Sequence, residues 1–333
     1  MSRHKIKNAG KGNLIEKIKR KIRNKWVIKL RYTNIYKYCY PSYWHSLSIR
    51  KKDTADKENL YFAARPNPGA GIGHQMANWI AGYWFAKRFG LKFAHIPFSS
   101  DKWETFLGFY QNEESLKKLK CLGYKVVRLQ KFDEDKREEC ERINRIINSY
   151  AGKKVVFLAE QDQFYHDQFG VMEELQNKFY TAPAREKDRL IYSKDYFNIA
   201  LHVRRGDIME NINDVNISMR YQSNEYFLQA LKSALDYLNN KDNVQIYLFS
   251  QGEIEDFPEF SGINNLHFCL DMNAQDSFLH MVYADALITS KSSFSYKSAL
   301  LNRGIKFCPA DFWHGYPKTK DWILLNQKGN MAE

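Results

Sequence analysis

The run His202-Val203-Arg204-Arg205-Gly206-Asp207 is the part of this 333-residue chain whose residue types and spacing most clearly point to chemistry. It closes an apolar stretch, Asn198 to Val203, that reads as a buried strand. In an open α/β sheet, ligands bind where strands end. Alternation along a strand puts His202 and Arg204 on one face and turns Arg205 the other way, within local reach of Asp207. An arginine fork at a strand end matches the geometry of a phosphate, and Gly206 permits a sharp exit turn. The plain alternative is a surface ion pair, Arg205 with Asp207, beside a solvated Arg204. A histidine two residues earlier and a buried strand behind favour the ligand site.

Two further clusters have the same character. In Pro68-Gly69-Ala70-Gly71-Ile72-Gly73-His74-Gln75, three alternating glycines stand between a strand and a helix. There the backbone can approach a ligand and helix N–H groups can meet an anion. No acidic residue closes the next strand near Ile96, and no Lys-Ser/Thr follows. The dinucleotide fingerprint and the ATPase loop are both incomplete, and a simple tight turn fits equally well. Ser290-Lys291-Ser292-Ser293-Phe294-Ser295-Tyr296 lies between a late strand and a helix, where serines cap the helix or bond phosphate. Asp276, in Gln275-Asp276-Ser277-Phe278, opens the helix before it, with N-capping as its plain reading. No paired-aspartate metal motif, HExxH or GxSxG is present.

The elements around these clusters alternate. Strands are expected at Leu60–Arg65, Lys92–Ile96, Tyr124–Leu129 and Lys154–Leu158. Helices are expected from about His74 to Phe89 and over roughly Asp133–Tyr150. A second series starts near Phe197, with strands NIALHVRR, VQIYLFS, LHFCLD, ALITS and IKFCP. The helices NEYFLQALKSALDYL, QDSFLHMVYA and SFSYKSALL lie among them. Two βαβ series predict an α/β protein with two Rossmann-like halves facing across a cleft, residues 59–195 and 196–333. Residues 1–58 form an arm and linker.

Charge sets the arm apart. Residues 1–58 hold 17 Lys and Arg against Glu16, Asp53, Asp56 and Glu58, which is the whole formal charge of +13; the remainder is balanced. A body without a basic excess argues against nucleic acid as partner. Leu14, Ile18, Ile22, Trp26 and Leu30 recur every four residues among lysines and arginines, with Ile15 and Val27 widening the stripe. This is the pattern of a basic amphipathic helix. Tyr32, Tyr36, Tyr38, Tyr40, Tyr43 and Trp44 follow as an aromatic cluster. Residues 13–44 thus suit an anionic membrane surface; a helix packed on the body is the alternative. The five cysteines are scattered without ligand spacing, consistent with reduced thiols. The first 30 residues lack a signal-peptide core and no 18 apolar residues run together, so the expected setting is the cytoplasm with peripheral membrane attachment.

Taken together, the clusters resemble the fucosyltransferase superfamily, which includes α1,2- and α1,6-fucosyltransferases and protein O-fucosyltransferases; the pattern is nearest the bacterial α1,2-type enzymes. The family's His-x-Arg-Arg-x-Asp motif is matched by His202, Arg204, Arg205 and Asp207. Its Gly-x-Gly-Asn-Gln opening resembles Gly71-Ile72-Gly73-His74-Gln75, and its late Ser-Ser-Phe-Ser segment resembles Ser292 to Ser295. The resemblance spans about residues 60–313. It implies a GT-B-like fold and inverting transfer of fucose from GDP-fucose to a glycan hydroxyl, lipid-linked surface polysaccharide included. It also implies that no cofactor or metal is needed. Arg204 would hold the β-phosphate, His202 would lie by the nucleotide and Asp276 would read guanine. Ser292 and Ser293 would bond the diphosphate, and Arg205 and Asp207 would brace the loop. Phe294, Gly71, Gly73 and Gln75 would complete the donor site. His74, which replaces the family's asparagine, is the candidate base for the acceptor hydroxyl, with Asp162 and Asp167 as alternatives. Tyr296-Lys297 replaces the paired tryptophans of typical α1,2 enzymes, which leaves the linkage open. Two other readings stand beside this one: an enzyme of the same architecture using another nucleotide sugar, and a non-catalytic, membrane-attached nucleotide-binding scaffold.

Overall fold

The computed structural model describes residues 25–26, 29–49, 56–160, 163, 165–210, 219–239, 243–270 and 272–332, the side chains of 207 and 210 excepted. Leu14, Ile15, Ile18, Ile22 and Val27 of the expected amphipathic helix, and Asp162, lie outside them.

Helix α1 (Pro41–Ser48) begins with a proline at its first position, where a missing N–H costs nothing. The first half then runs β1 (Leu60–Ala63), α2 (Ile72–Arg88), β2 (Lys92–His95), α3 (Asp101–Leu107), β3 (Glu114–Ser115), α4 (Leu116–Cys121), β4 (Lys125–Arg128), α5 (Arg137–Asn148), β5 (Val155–Leu158) and α6 (Met172–Tyr180). The second half begins with β6 (Phe197–His202) and a short turn of helix at Asp207–Glu210. It continues with α7 (Asn224–Tyr237), β7 (Val244–Phe249), β8 (Leu266–Cys269), α8 (Ala274–Tyr283), β9 (Ala286–Ile288), α9 (Ser293–Leu301), β10 (Ile305–Pro309) and β11 (Trp322–Leu325). The sheet orders are β3-β2-β1-β5-β4 and β11-β10-β9-β6-β7-β8, and every pair is parallel. This is the expected two-sheet, GT-B-like α/β architecture. Strands β1 and β5 are buried along their whole length, as parallel strands covered on both faces must be. The helix expected over Asp133–Tyr150 is shorter, because its buried stripe is Ile143, Ile146 and Ile147. Strands β3 and β11 were not expected.

The halves share one hydrophobic core. Trp103 on α3 meets Phe278 on α8 at 5.7 Å and Phe294 on α9 at 6.4 Å between ring centroids. Gln176 Nε2 donates to the Leu300 carbonyl at 3.0 Å and Tyr180 Oη to that of Leu301 at 3.2 Å. Such continuity fixes the width of the cleft, since a packed core does not deform smoothly.

The aromatic cluster of the arm divides in two, which corrects its reading as a single membrane belt. Tyr36 and Tyr40 are buried, with hydroxyls 2.9 Å apart, and the Tyr36 hydroxyl accepts from the Lys131 amide at 3.0 Å. Ser42 donates to the Arg128 carbonyl, and His45 stacks on Tyr150 at 3.9 Å. These residues belong to the body because their polar tips find partners there. Trp26, Tyr32, Tyr38 and Trp44 remain exposed. Among the described residues no helix is long and apolar enough to cross a membrane.

Candidate functional site

A cleft of about 720 Å³ opens between the halves. From the first half it takes Gly71, Ile72, Gly73, His74 and Ala77 at the start of α2, and Tyr165 and His166 from the loop after β5. From the second it takes Arg204 after β6, Arg220, Lys291 to Phe294 after β9, and Trp313 and His314 after β10. No carboxylate is among these lining residues. The cleft therefore lies at the C-terminal edge of the second sheet, where α/β folds place ligands.

Arg204 and Arg205 diverge as alternation suggests, but the divergence arises in a loop, because β6 stops at His202. Gly206 has φ of 69°, a left-handed turn that favours glycine, and the end of the flexible Gln251 side chain lies beside it. Arg204 lines the cleft. Arg205 turns inward, donating to the Gln222 carbonyl at 3.0 Å and to Asn224 Oδ1 at 2.6 Å, and lying over the Tyr221 ring. Its partners among the described residues are thus polar groups of the loop and start of α7, and the Asp207 side chain lies outside the described residues. His202 is also enclosed, with Nδ1 2.7 Å from Ser290 Oγ. Burial, helped by the charge of Arg204, holds its pKa down at about 3, so the ring is neutral and ties β6 to the loop after β9. Both His202 and Arg205 are buried, and neither is among the residues that line the cleft.

Two helices from opposite halves start at this cleft. Helix α9 is capped by Ser292, whose hydroxyl accepts from the Phe294 amide at 3.2 Å. Helix α2 starts at Gly71 with no side-chain cap. Helix starts present partial positive charge and N–H donors. The two touch at Gly73, where a Cβ would meet the carbonyl carbon and oxygen of Ser293 and the amide of Phe294 at 2.6–2.8 Å. Around Gly71 nothing lies within 4 Å of such a position. One glycine permits contact between the halves; the other leaves room in the cleft. Gln75 turns inward, donating to the Ala70 carbonyl and Ser99 Oγ, both at 2.8 Å, so it braces the glycine-rich turn.

Asp276 is exposed and outside the cleft lining. It sits in the first turn of α8, and the cap is Asn273, whose side chain accepts from the Gln275 and Asp276 amides; Asn273 also donates to Asp276 Oδ2 at 2.6 Å. Strand β8, which leads to α8, lies three strand positions from β9, or about 14 Å at the usual spacing. A ligand bound at both Arg204 and Asp276 would have to run along the sheet edge.

Both His74 and His166 reach the cleft. Asp167 backs His166, accepting from its Nδ1 at 3.0 Å. His314 stacks on Tyr296 at 4.9 Å, and burial first, then the nearby Lys297, pushes its pKa down to about 2, which makes it a neutral hydrogen-bonding group. Lys297, one of the two departures from the family's tryptophans, is fully buried over the Tyr296 ring at 4.6 Å, and its Nζ has no hydrogen-bond partner. Burial holds this amine well below the usual lysine range. Among the described residues, no group of three His, Cys, Asp or Glu side chains is placed to share a metal ion.

Tyr165, His166, Arg220, Trp313 and His314 were not picked out by the sequence clusters. Trp313 and His314 directly follow the strand Ile305–Pro309, so the strand-end rule applied to that strand finds them. Arg220 has no local signal.

The sequence matches no family model and no curated protein. Among solved structures, the chain is similar to POFUT1 in complex with GDP-fucose, at 10% identity and a TM-score of 0.44, covering 75% of this chain and 97% of that one. It is similar to the α1,6-fucosyltransferase NodZ co-crystallised with GDP at 13% identity and 0.42, covering 76% and 96%. A third is the Escherichia coli heptosyltransferase WaaC with ADP-2-deoxy-2-fluoro heptose, at 10% and 0.39, covering 80% and 92%.

Proposed function

We propose that this chain is an inverting glycosyltransferase that moves fucose from GDP-fucose to a glycan hydroxyl. The observation that carries the reading is the convergence of Arg204, the serine-capped start of α9 and the uncapped start of α2 on one cleft that, among the described residues, has no lining carboxylate. As the bond from sugar C1 to the β-phosphate oxygen breaks, negative charge grows on the diphosphate. Arg204 meets it with a charged fork and the helix starts with N–H groups, fixed before the reaction begins. Asp276 reads the guanine from the β8 end of the sheet edge. The acceptor hydroxyl attacks C1 from the opposite face and gives its proton to an imidazole of the first half. His74 is that base; His166, oriented by Asp167, is the second candidate the geometry supplies.

The same reading places the enzyme peripherally on an anionic membrane through its basic N-terminal segment, beside a lipid-linked acceptor. The test is thermal stabilisation by GDP, ADP, UDP and CMP, followed by hydrolysis of GDP-fucose, GDP-mannose and UDP-sugars with and without EDTA. Selective stabilisation by GDP and hydrolysis of GDP-fucose in EDTA are expected. Stabilisation by another nucleotide reassigns the donor, and none by any nucleotide refutes the transferase.

A further inference from the structure

The cleft carries a cation that the donor does not require. A nucleoside diphosphate sugar brings its negative charge on the two phosphates, which the reading above gives to Arg204 and the helix starts. Lys291 is held by Asp311 at 2.7 Å. Arg220 remains. Its guanidinium carbon lies 5.4 Å from the centre of the Trp313 ring, and among the described residues no carboxylate pairs with it. Behind it stands a column of rings: Trp313 rests on Phe312 at 4.2 Å, and Phe312 on the buried Tyr296 at 5.5 Å. An arginine held over an anchored indole loses little further freedom when it binds, and its planar N–H fork can meet an oxyanion.

Its place in the fold says which substrate it serves. Trp313 follows β10, which lies beyond β9 on the side away from β8. A donor with its base towards β8 and its diphosphate at the end of β9 puts its sugar, and the acceptor beyond it, near Trp313 and Arg220. His74 and His166 face the same space from the first half.

We propose that the acceptor glycan carries an anionic group, a carboxylate or a phosphate, which Arg220 clamps on its Trp313 support. This rests on the transferase reading for its geometry. The test uses the full chain saturated with GDP, and saturation-transfer NMR with methyl glucuronide, glucose 1-phosphate and methyl glucoside. At least one anionic probe should bind about tenfold more tightly than the glucoside, the scale of one charge-assisted hydrogen bond. A preference for the glucuronide identifies a carboxylate, and one for the sugar phosphate a phosphodiester or lipid-phosphate acceptor. Arg220→Gln should bring the ratio to about one, Arg220→Lys should keep part of it, and Trp313→Ala should lower it where Trp313→Phe does not. Thermal melts of each variant report folding. A wild-type ratio near one, or a ratio untouched by Arg220→Gln, overturns the proposal. GDP binding is measured on the same samples. A chain that binds GDP with a ratio near one keeps the donor reading and loses this one. A chain that ignores GDP but keeps the ratio does the reverse.

Discussion

Replacing Gly73 and Gly71 by alanine separates two roles that the glycine-rich turn combines. At Gly73 a methyl would sit 2.6–2.8 Å from backbone atoms of Ser293 and Phe294. To reach an ordinary contact of about 3.4 Å, α2 and α9 would have to part by roughly 0.6–0.8 Å. Backbone cannot swing aside as a side chain does, so the cost is that of overpacking, about 1–3 kcal/mol. Alanine's helix propensity returns at most about 1 kcal/mol. A net loss of about 1–2 kcal/mol, or a melting temperature lower by roughly 1.5–3 °C, is expected for a chain of this size. The displacement also moves Ser293 and Phe294 in the cleft wall, so nucleotide affinity should fall. At Gly71, φ is −62° and the space is open; Gly71→Ala should change stability by no more than about 0.5 kcal/mol. Its methyl enters the cleft, so ligand affinity should suffer alone. Differential scanning fluorimetry with and without GDP reads both quantities. A Gly73→Ala protein as stable as the parent, or a Gly71→Ala protein that is the less stable of the two, would refute the contact between halves as described.

Arg204→Ala should lower donor hydrolysis and transfer by about 10²–10³-fold at unchanged folding, and Arg204→Lys should be nearly as poor, because an ammonium cannot reproduce the fork; near-normal rates in either variant contradict the phosphate role. His314 has a folded pKa of about 2 against 6.5 unfolded, so unfolding takes up a proton between those values and stability falls as pH drops below about 6.5. His314→Gln should flatten urea-measured stability between pH 6.5 and 5 by about one proton, and an unchanged slope would show that this ring is not held neutral. Lys297→Met should raise the melting temperature, since it removes a buried amine that lacks a partner and is worth about 1–3 kcal/mol of penalty; a lower melting temperature means that the amine has a partner in solution.

The parts of the site that were legible in the sequence are those set by local geometry. Alternation and the glycine exit separated Arg204 from Arg205, and the strand-to-helix positions of Gly71, Gly73, Ser292 and Ser293 followed from hydrophobic periodicity. The partners of Arg205 among the described residues were not legible, because Gln222, Asn224 and Tyr221 lie far along the chain from it. Asp276 looked like a cap because the apolar run begins beside it, yet the chain enters the helix at Asn273, whose side chain meets the first amides. Gly73 shows the limit most clearly. Its neighbour Ser293 is 220 positions away, so a packing requirement of the finished fold looked like freedom for a ligand. Strand β3 is too short to show a period. The shared core could not be inferred from two series that each looked self-sufficient.

The N-terminal segment supports a test in two cuts, because the structure joins part of it to the body. Tyr36 and Tyr40 are buried and Ser42 and His45 bond to the first half, whereas the exposed Tyr38 and Trp44 pack beside each other at 5.5 Å, with Lys37 over the Tyr38 ring. One helical turn beyond Trp44, Leu47 is also exposed. Aromatic and apolar side chains next to lysines suit the boundary between headgroups and acyl chains. Removing residues 1–28 takes away 10 of the 17 basic residues of the arm, each worth up to about 1 kcal/mol at an anionic surface. It leaves Tyr36 and Tyr40 in place. This cut should release the protein from phosphatidylserine vesicles at low salt without lowering its melting temperature. Removing residues 1–50 should release it too, but it also strips the two buried tyrosines and leaves the Lys131 amide without its acceptor. Burial of that size is worth about 1.5–3 kcal/mol for each large side chain, so the second cut should melt several degrees lower. Co-sedimentation at low and high salt, beside thermal melts of the three proteins, reads both effects. If the intact chain ignores anionic vesicles at low salt, the membrane reading fails. If the two cuts melt alike, the docking of Tyr36 and Tyr40 fails instead.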